Sequence, residues 1–146
     1  MIGYMELNKT SSCCNVIPLN AFTSCRRLEK LHIPEGVEVI GRDAFAICTA
    51  LKEVYLPSTL KKIDRGVFWR CVSLKSIAIP ASVEEIGEYV FYDCNSLTHV
   101  YNYATQPCRI PPVFNRAGIT LHVPRGSKKS YSNADNWNFA NVVGDL

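Results

Sequence analysis

Apolar residues recur along this chain at a fixed interval of 23. Phe22, Phe45, Phe68, Phe91 and Phe114 form one column. Cys25, Cys48, Cys71 and Cys94 form a second, and Leu28, Leu51, Leu74 and Leu97 a third. Leu31, Val54, Ile77 and Val100 follow, then Ile33, Leu56 and Ile79, then Pro34, Pro57 and Pro80, then Val37, Leu60 and Val83. Ile40, Ile63 and Ile86 close the unit, and Ile17 extends that column backwards. A small residue precedes each Phe: Ala21, Ala44, Val67, Val90 and Val113. So many columns in one register define a tandem repeat, A/V-F-x-x-C-x-x-L-x-x-V-x-L-P-x-x-V-x-x-I-G.

Each part of the unit has a physical reading. Leu31 and Ile33 alternate with His32, as in a short strand with one buried face. Pro34 ends that strand, because proline has no N–H for the ladder. Pro-Glu-Gly, Pro-Ser-Thr and Pro-Ala-Ser then suit a tight turn. Val37 and Ile40 point inward again, in a second short strand or extended segment. Gly41 and Gly87 are expected to permit the next bend through positive φ, with Asp64 replacing them once. Phe, Cys and Leu at spacings of three fit a single helical turn.

A period of 23 falls within the range of about 20–29 residues of leucine-rich repeats. The expected fold is therefore a leucine-rich-repeat β-solenoid, mostly β with short helical turns. It is read as a right-handed stack of four to five units of 23 residues with a C-terminal cap. Residues 1–13 are read as an irregular arm or partial repeat, 14–113 as the solenoid, and 114–146 as a degenerate last repeat and cap. Cys14, Ile17 and Ala21 fit the columns of Val37, Ile40 and Ala44, whereas residues 1–12 fit none. The N-terminal end of the stack has no recognisable cover, which leaves room for lost repeats or a homo-oligomer through that end.

After Val100 the register decays. Asn102, Tyr103, Gln106 and Arg109 stand where apolar residues or proline are due, as in the atypical terminal units of solenoids. Leu121-His122-Val123-Pro124 repeats the strand ending two residues early, and Val142-Val143 offers a last strand. Tyr131, Trp137 and Phe139 are expected to plug the open core, since a bare apolar end aggregates.

The outward strand face is the first candidate binding surface. The residue between two inward strand positions projects there: His32, Tyr55, Ala78 and Tyr101, with His122 as an extension. Lys30, Glu53, Ser76 and His99 form the neighbouring column. His32, Tyr55, Tyr101 and His122 are aromatic and amphipathic, which suits recognition of protein or sugar surfaces. Cross-strand aromatics also stabilise sheets without any ligand. A second candidate patch is Trp69 with Tyr92, which follow the Phe on adjacent units and are expected to stack and be fairly exposed.

Composition narrows the chemistry. Lys+Arg number 16 against Asp+Glu 13 in 146 residues, a net charge of +3 that is too small and scattered to call for nucleic acid. The pairs Arg26-Arg27, Lys61-Lys62 and Lys128-Lys129 read as solvated faces. No apolar run approaches the roughly 20 residues of a membrane span, so membrane insertion is not expected. The first residues do not resemble a signal peptide, and Asn8-Lys9-Thr10 is a chance-level glycosylation triplet. Of seven cysteines, four belong to the repeat and read as small buried hydrophobes. Cys13-Cys14 and Cys108 form no zinc or redox motif. His32, His99 and His122 show no metal-ligand spacing, and Cys94 with His99 makes an unpromising catalytic pair inside the repeat. No enzyme motif is present, and neither a metal nor another cofactor is expected.

The unit resembles the BspA-like class of bacterial leucine-rich repeats, of the Treponema and Bacteroides type. Ala44-Phe45, Cys48, Leu51, Val54, Leu56-Pro57, Leu60 and Ile63 match its pattern, as do their equivalents in neighbouring units. The tail Leu121-His122-Val123-Pro124-Arg125-Gly126 through Tyr131 and Trp137 is similar to the C-terminal end of such proteins. The resemblance covers about residues 14–143. It implies a cell-surface or secreted protein that mediates attachment to host proteins, matrix or other cells, and the expected function is a non-catalytic protein- or glycan-binding module in adhesion to host or other cells. The alternative is a structural spacer or self-assembly segment with no ligand of its own. The pattern defines a scaffold, so no functional residue carries over from it.

Overall fold

A computed structural model describes the backbone of residues 3–6, and residues 15–137, 139 and 141–146. Cys13, Cys14 and the Asn8-Lys9-Thr10 triplet lie outside the described residues, and so does the fit of Cys14 to the Val37 column.

The chain winds into a solenoid whose front wall is a set of parallel strands. These are β1 (Gly3–Glu6), β3 (Leu28–His32), β5 (Glu53–Tyr55), β7 (Ser76–Ile79), β9 (His99–Asn102), β10 (Thr120–Val123) and β11 (Asn141–Gly144). The rear wall is built from β2 (Val16–Ile17), β4 (Val39–Ile40), β6 (Lys62–Ile63) and β8 (Glu85–Ile86), each paired in parallel 23 residues on. Seven front strands thus stand among the described residues, against the four to five units read from the sequence. The difference comes from the ends. β1 pairs with β3 through Met5 and Leu31, and β10 and β11 prolong the wall past the last well-formed repeat. There the step shortens from 23 to 21: Val100 pairs with Leu121, and Leu121 with Val142.

The front wall is in two pieces. Among the described residues, ladder bonds join β1, β3 and β5, and separately join β7, β9, β10 and β11, with no ladder between β5 and β7.

Between rear and front walls the chain makes tight turns rather than a regular helix. Their bonds run from residue i+3 to residue i, as in Ala44 N–H to the Gly41 carbonyl and Leu51 N–H to the Cys48 carbonyl. These turns stack too. The N–H of Phe22 donates to Ala44 O at 2.8 Å, and Phe45, Phe68 and Phe91 donate to Val67, Val90 and Val113, each at 3.1 Å. The small residue before each Phe supplies this carbonyl, and from Ala44 to Val113 each is buried.

The glycine expectation is corrected. Gly41 and Gly87 do not take positive φ. A Cβ on Gly41 would lie 2.6 Å from Ile17 O, and one on Gly87 would lie 2.5 Å from Arg65 N. At these two glycines, though not at the equivalent Asp64, the neighbouring coil's backbone passes too close for a side chain. Positive φ falls elsewhere, in the column Asn20, Asp43, Gly66, Tyr89 and the column Ser24, Ile47, Arg70, Asp93.

The core is the set of columns. Phe22, Phe45, Phe68, Phe91 and Phe114 stack nearly parallel, with successive ring centroids 5.2, 6.0, 5.8 and 5.3 Å apart. Phe139 meets Phe114 edge-on at 5.0 Å and closes the stack. Cys48, Cys71 and Cys94 are buried, and each S–H reaches the carbonyl of a Phe in the preceding coil: Phe22, Phe45 and Phe68 at 3.4, 3.3 and 3.1 Å. Burial pushes the Cys48 and Cys94 thiols up to about 12, and Cys71 well above the usual thiol range. They are therefore protonated donors and poor nucleophiles.

The cap plugs the C-terminal end as the aromatic residues imply. Tyr131, on the five-residue helix α1 (Lys128–Ser132), and Trp137 are fully buried and meet edge-to-face at 5.5 Å. The Tyr131 hydroxyl donates to Ala104 O at 2.8 Å and the Trp137 indole N–H to Cys108 O at 2.7 Å. Buried aromatics with a polar handle thus satisfy loop carbonyls that have left the repeat. Asn102, in the column of Ile33 and Ile79, is buried and accepts the N–H of Ala104 through Oδ1 at 3.1 Å.

Candidate binding faces

The outward column of the front wall is in register. His32 pairs with Tyr55, and Tyr101 with Ala78 on one side and His122 on the other. Inward neighbours at Leu31, Val54, Ile77, Val100 and Leu121 are buried, so strand alternation turns this column outward; His32, Tyr55 and Ala78 are exposed there, and Tyr101 and His122 are half-buried. Tyr55 is 55% exposed. Its ring tilts against His32 at 5.8 Å, and its hydroxyl donates to Glu53 Oε2 at 3.0 Å. Lys30 reaches Glu53 Oε1 at 3.0 Å. The hydrogen bonds from Lys30 and Tyr55 pull the Glu53 carboxyl down, and the Glu53 carboxylate raises both Lys30 and the Tyr55 phenol. This fixes charge on the surface without burying it.

Further along, Tyr101 lies flat on His122, centroids 4.4 Å apart and planes 19° apart. His122 also joins His99 and Asp145. Its Nε2 is 3.0 Å from His99 Nδ1, and its Nδ1 is 2.9 Å from Asp145 Oδ2. The carboxylate only accepts, so His122 Nδ1 carries the proton; a neutral His122 then accepts at Nε2, and His99 Nδ1 donates. Sequence reasoning placed His99 and His122 in separate columns and did not include Asp145. The signal was present: His99, His122 and Asp145 are 23 apart, although the backbone there steps by 21. His122 therefore stacks on its direct partner Tyr101 and reaches His99 and Asp145 along the diagonals.

The second patch differs from expectation. Trp69 and Tyr92 are both half-buried rather than freely exposed. The Tyr92 ring meets Tyr89 edge-to-face at 4.8 Å, and Arg65 lies over Tyr89 at 5.2 Å. Arg70 lies over Trp69 at 5.6 Å. Tyr89 stands in the positive-φ column. Each arginine thus covers one ring of the patch.

Three further charged pairs are cross-coil. Lys52 with Glu29, Lys61 with Glu84 and Lys62 with Glu85 are 2.9, 3.5 and 2.9 Å apart. Lys61-Lys62 is thus a paired face rather than a bare cationic one. Among the described residues, no group of three or more His, Cys, Asp or Glu side chains has metal-site geometry. No helix among them is long and apolar enough to cross a membrane.

This fold and these columns define a leucine-rich-repeat solenoid. The family model for the BspA-type leucine-rich-repeat region matches six copies within residues 15–106. The chain belongs to the BspA-type leucine-rich-repeat family. Among solved structures it is similar to the leucine-rich-repeat protein of T. pallidum, at 27% identity and TM-score 0.69 over 89% of this chain and 63% of that one. A leucine-rich-repeat protein from Bacteroides capillosus is 31% identical with TM-score 0.58, over 68% of this chain and 76% of that one. The pneumococcal vaccine antigen PcpA shares the fold at 20% identity, TM-score 0.73, over 99% of this chain and 42% of that one. The chain thus spans less than two thirds of the length of the T. pallidum and pneumococcal proteins. Among curated protein sequences, none is significantly similar to it.

Proposed function

We propose that this chain is a non-catalytic protein- or glycan-binding module of a bacterial surface or secreted leucine-rich-repeat protein, acting in adhesion. The observation that carries the reading is the outward column His32, Tyr55, Tyr101 and His122, with His32 and Tyr55 exposed and Tyr101 stacked on His122. Aromatic side chains with polar tips supply large contact area at low ordering cost. Their bracing by Glu53, His99 and Asp145 reduces that cost further. Family membership supports the surface or secreted setting. Trp69 and Tyr92 are a secondary patch, already engaged by Arg70 and Tyr89.

The test is binding of the purified chain to immobilised host matrix proteins, mucins and polysaccharides, beside a Tyr55→Ala/Tyr101→Ala variant. A partner retained by the native chain and lost by the folded variant is the expected result. A well-folded chain that retains nothing would turn the reading toward a spacer.

A further inference from the structure

We propose that His99, His122 and Asp145 form a proton-operated latch on the outward face, closed while the two imidazoles hold at most one extra proton between them and opened when both are protonated. The latch does not depend on the face having a ligand. His122 Nε2 is 3.0 Å from His99 Nδ1, and His122 Nδ1 is 2.9 Å from Asp145 Oδ2. The three side chains thus link β9, β10 and the turn after β11. The His122 side chain is only 13% exposed, so water does not readily replace a partner it loses.

Each neutral imidazole has one N–H and one bare nitrogen. In the neutral array His122 donates from Nδ1 to Asp145 and accepts at Nε2 from His99 Nδ1–H. One added proton leaves both bonds in place. Carried by His122, it makes both of that ring's nitrogens donors, and His99 shifts to its Nε2–H tautomer and accepts at Nδ1. Carried by His99, it sits on Nε2, the nitrogen that does not face His122. In either placement one hydrogen still lies between the two rings. A second proton ends this. Both facing nitrogens then carry hydrogen, neither can accept, and two like charges oppose each other across 3.0 Å. His99 is the exposed ring and the one free to leave, whereas His122 stays with the Asp145 carboxylate.

The surroundings leave the outcome to these three groups. In register with His99 stand Ser76 on β7 and Thr120 on β10, and Thr120 Oγ1 accepts from Asn141 Nδ2 at 3.0 Å. Among the described residues, Asp145 is the one carboxylate within 4.0 Å of either imidazole. The cations on the packed elements are Lys75 ahead of β7, Arg125 after β10, and Lys128 and Lys129 on α1. Their charge resists every added proton and does not alter which bond the second one breaks. Tyr101 is the remaining titratable group, its ring 4.4 Å from His122 and 6.2 Å from His99. The backbone is held independently, by the ladders from β9 to β10 and β10 to β11 and by Leu146 N–H donating to Val123 O at 3.2 Å. Opening is therefore a movement of side chains. It takes His99 off the Tyr101–His122 stack and changes what this end of the outward face presents.

Imidazole nitrogen-15 NMR of the whole chain, taken from about pH 8 to about pH 4, tests this, with the exposed His32 as internal reference. The expected result is two protonation steps for the His99–His122 pair, at least about one pH unit apart, beside a single step for His32. Tyr101 ring protons should shift most at the second step. His99→Gln keeps a polar side chain there but takes up no proton. It should leave His122 a single step and remove the Tyr101 shift. A Tyr101 shift that persists in His99→Gln would assign the opening to Asp145 protonation and overturn the latch. So would two imidazoles in the native chain that each titrate in one independent step. The native titration needs no variant, so it decides the matter even if His99→Gln does not fold.

Discussion

Asp145 Oδ2 lies 2.9 Å from His122 Nδ1, joining the last turn of the chain to the outward face of β10. The carboxylate accepts from His122 Nδ1–H, and in the neutral ring this leaves Nε2 as the acceptor for His99. Asp145→Ala removes the partner that fixes the tautomer. Nitrogen-15 NMR of the imidazoles should show His122 moving toward the Nε2–H form and the His99 bond weakening. The stability loss should be about 0.5–1.5 kcal/mol, as for an ordinary hydrogen bond. An unchanged His122 tautomer in the variant would mean that Asp145 does not orient the ring.

The glycine column makes a separate prediction. Gly87→Ala places a Cβ against the Arg65 backbone, and a backbone atom cannot swing aside like a side-chain tip. The coils must part locally, at an expected cost of about 1–3 kcal/mol as for overpacking. Gly126 is the contrast, having φ +85° and open space where a Cβ would stand, with nothing within 4 Å. Gly126→Ala should lose about 1–2 kcal/mol through left-handed strain alone. Thermal denaturation separates them when each glycine is also changed to Asn, which tolerates positive φ. Asn should recover part of the loss at 126 and none at 87.

The repeat was readable because its core columns are all apolar and keep one period. Phe45 above Phe68, Cys71 between its neighbours, and the Tyr131–Trp137 plug all follow from burial alone. The polar cluster was not readable in the same way. Direct pairing at a step of 21 puts His122 opposite Tyr101, and only the diagonal reach of the side chains joins it to His99 and Asp145. The positive-φ column was half visible, since Asn20, Asp43 and Gly66 are the residues that tolerate that conformation. Tyr89 hid it, and with it the edge-to-face contact with Tyr92. Gly87 shows that a residue type can be read correctly as a backbone requirement while its cause, close approach rather than φ, emerges only from how the coils stack.

The thiol column predicts a pH response. Burial holds the Cys94 thiol at about 12 in the folded chain, whereas an unfolded thiol titrates at about 8.5. A raised folded value means that the folded state keeps its proton where the unfolded state releases it. The stabilisation is therefore complete below about pH 8.5 and is lost progressively as pH rises toward about 12. Each such thiol contributes a slope of at most about 1.4 kcal/mol per pH unit. The expected outcome is a fall in denaturation midpoint above about pH 9 that is shallower in Cys94→Ala than in the native chain. Iodoacetamide mapping by mass spectrometry at about pH 8, just below the free-thiol value, should leave Cys71 and Cys94 unmodified until the chain is unfolded. Rapid alkylation of either in the native protein would contradict the buried-donor geometry.

Phe68 sits midway in the ring stack, fully buried, with Phe45 at 6.0 Å on one side and Phe91 at 5.8 Å on the other. Burial of one such side chain contributes on the order of 2 kcal/mol. Truncation also leaves a cavity whose walls are rings locked by their own neighbours, so little collapse is available. Phe68→Ala should therefore cost about 3–5 kcal/mol. Phe22 is only partly buried against the core and has a ring on one side, Phe45 at 5.2 Å. Phe22→Ala should cost less, since part of its surface already meets solvent. Urea denaturation of both variants measures the difference. A loss below about 1 kcal/mol at Phe68, or a larger loss at Phe22 than at Phe68, would contradict a continuous core built on this stack.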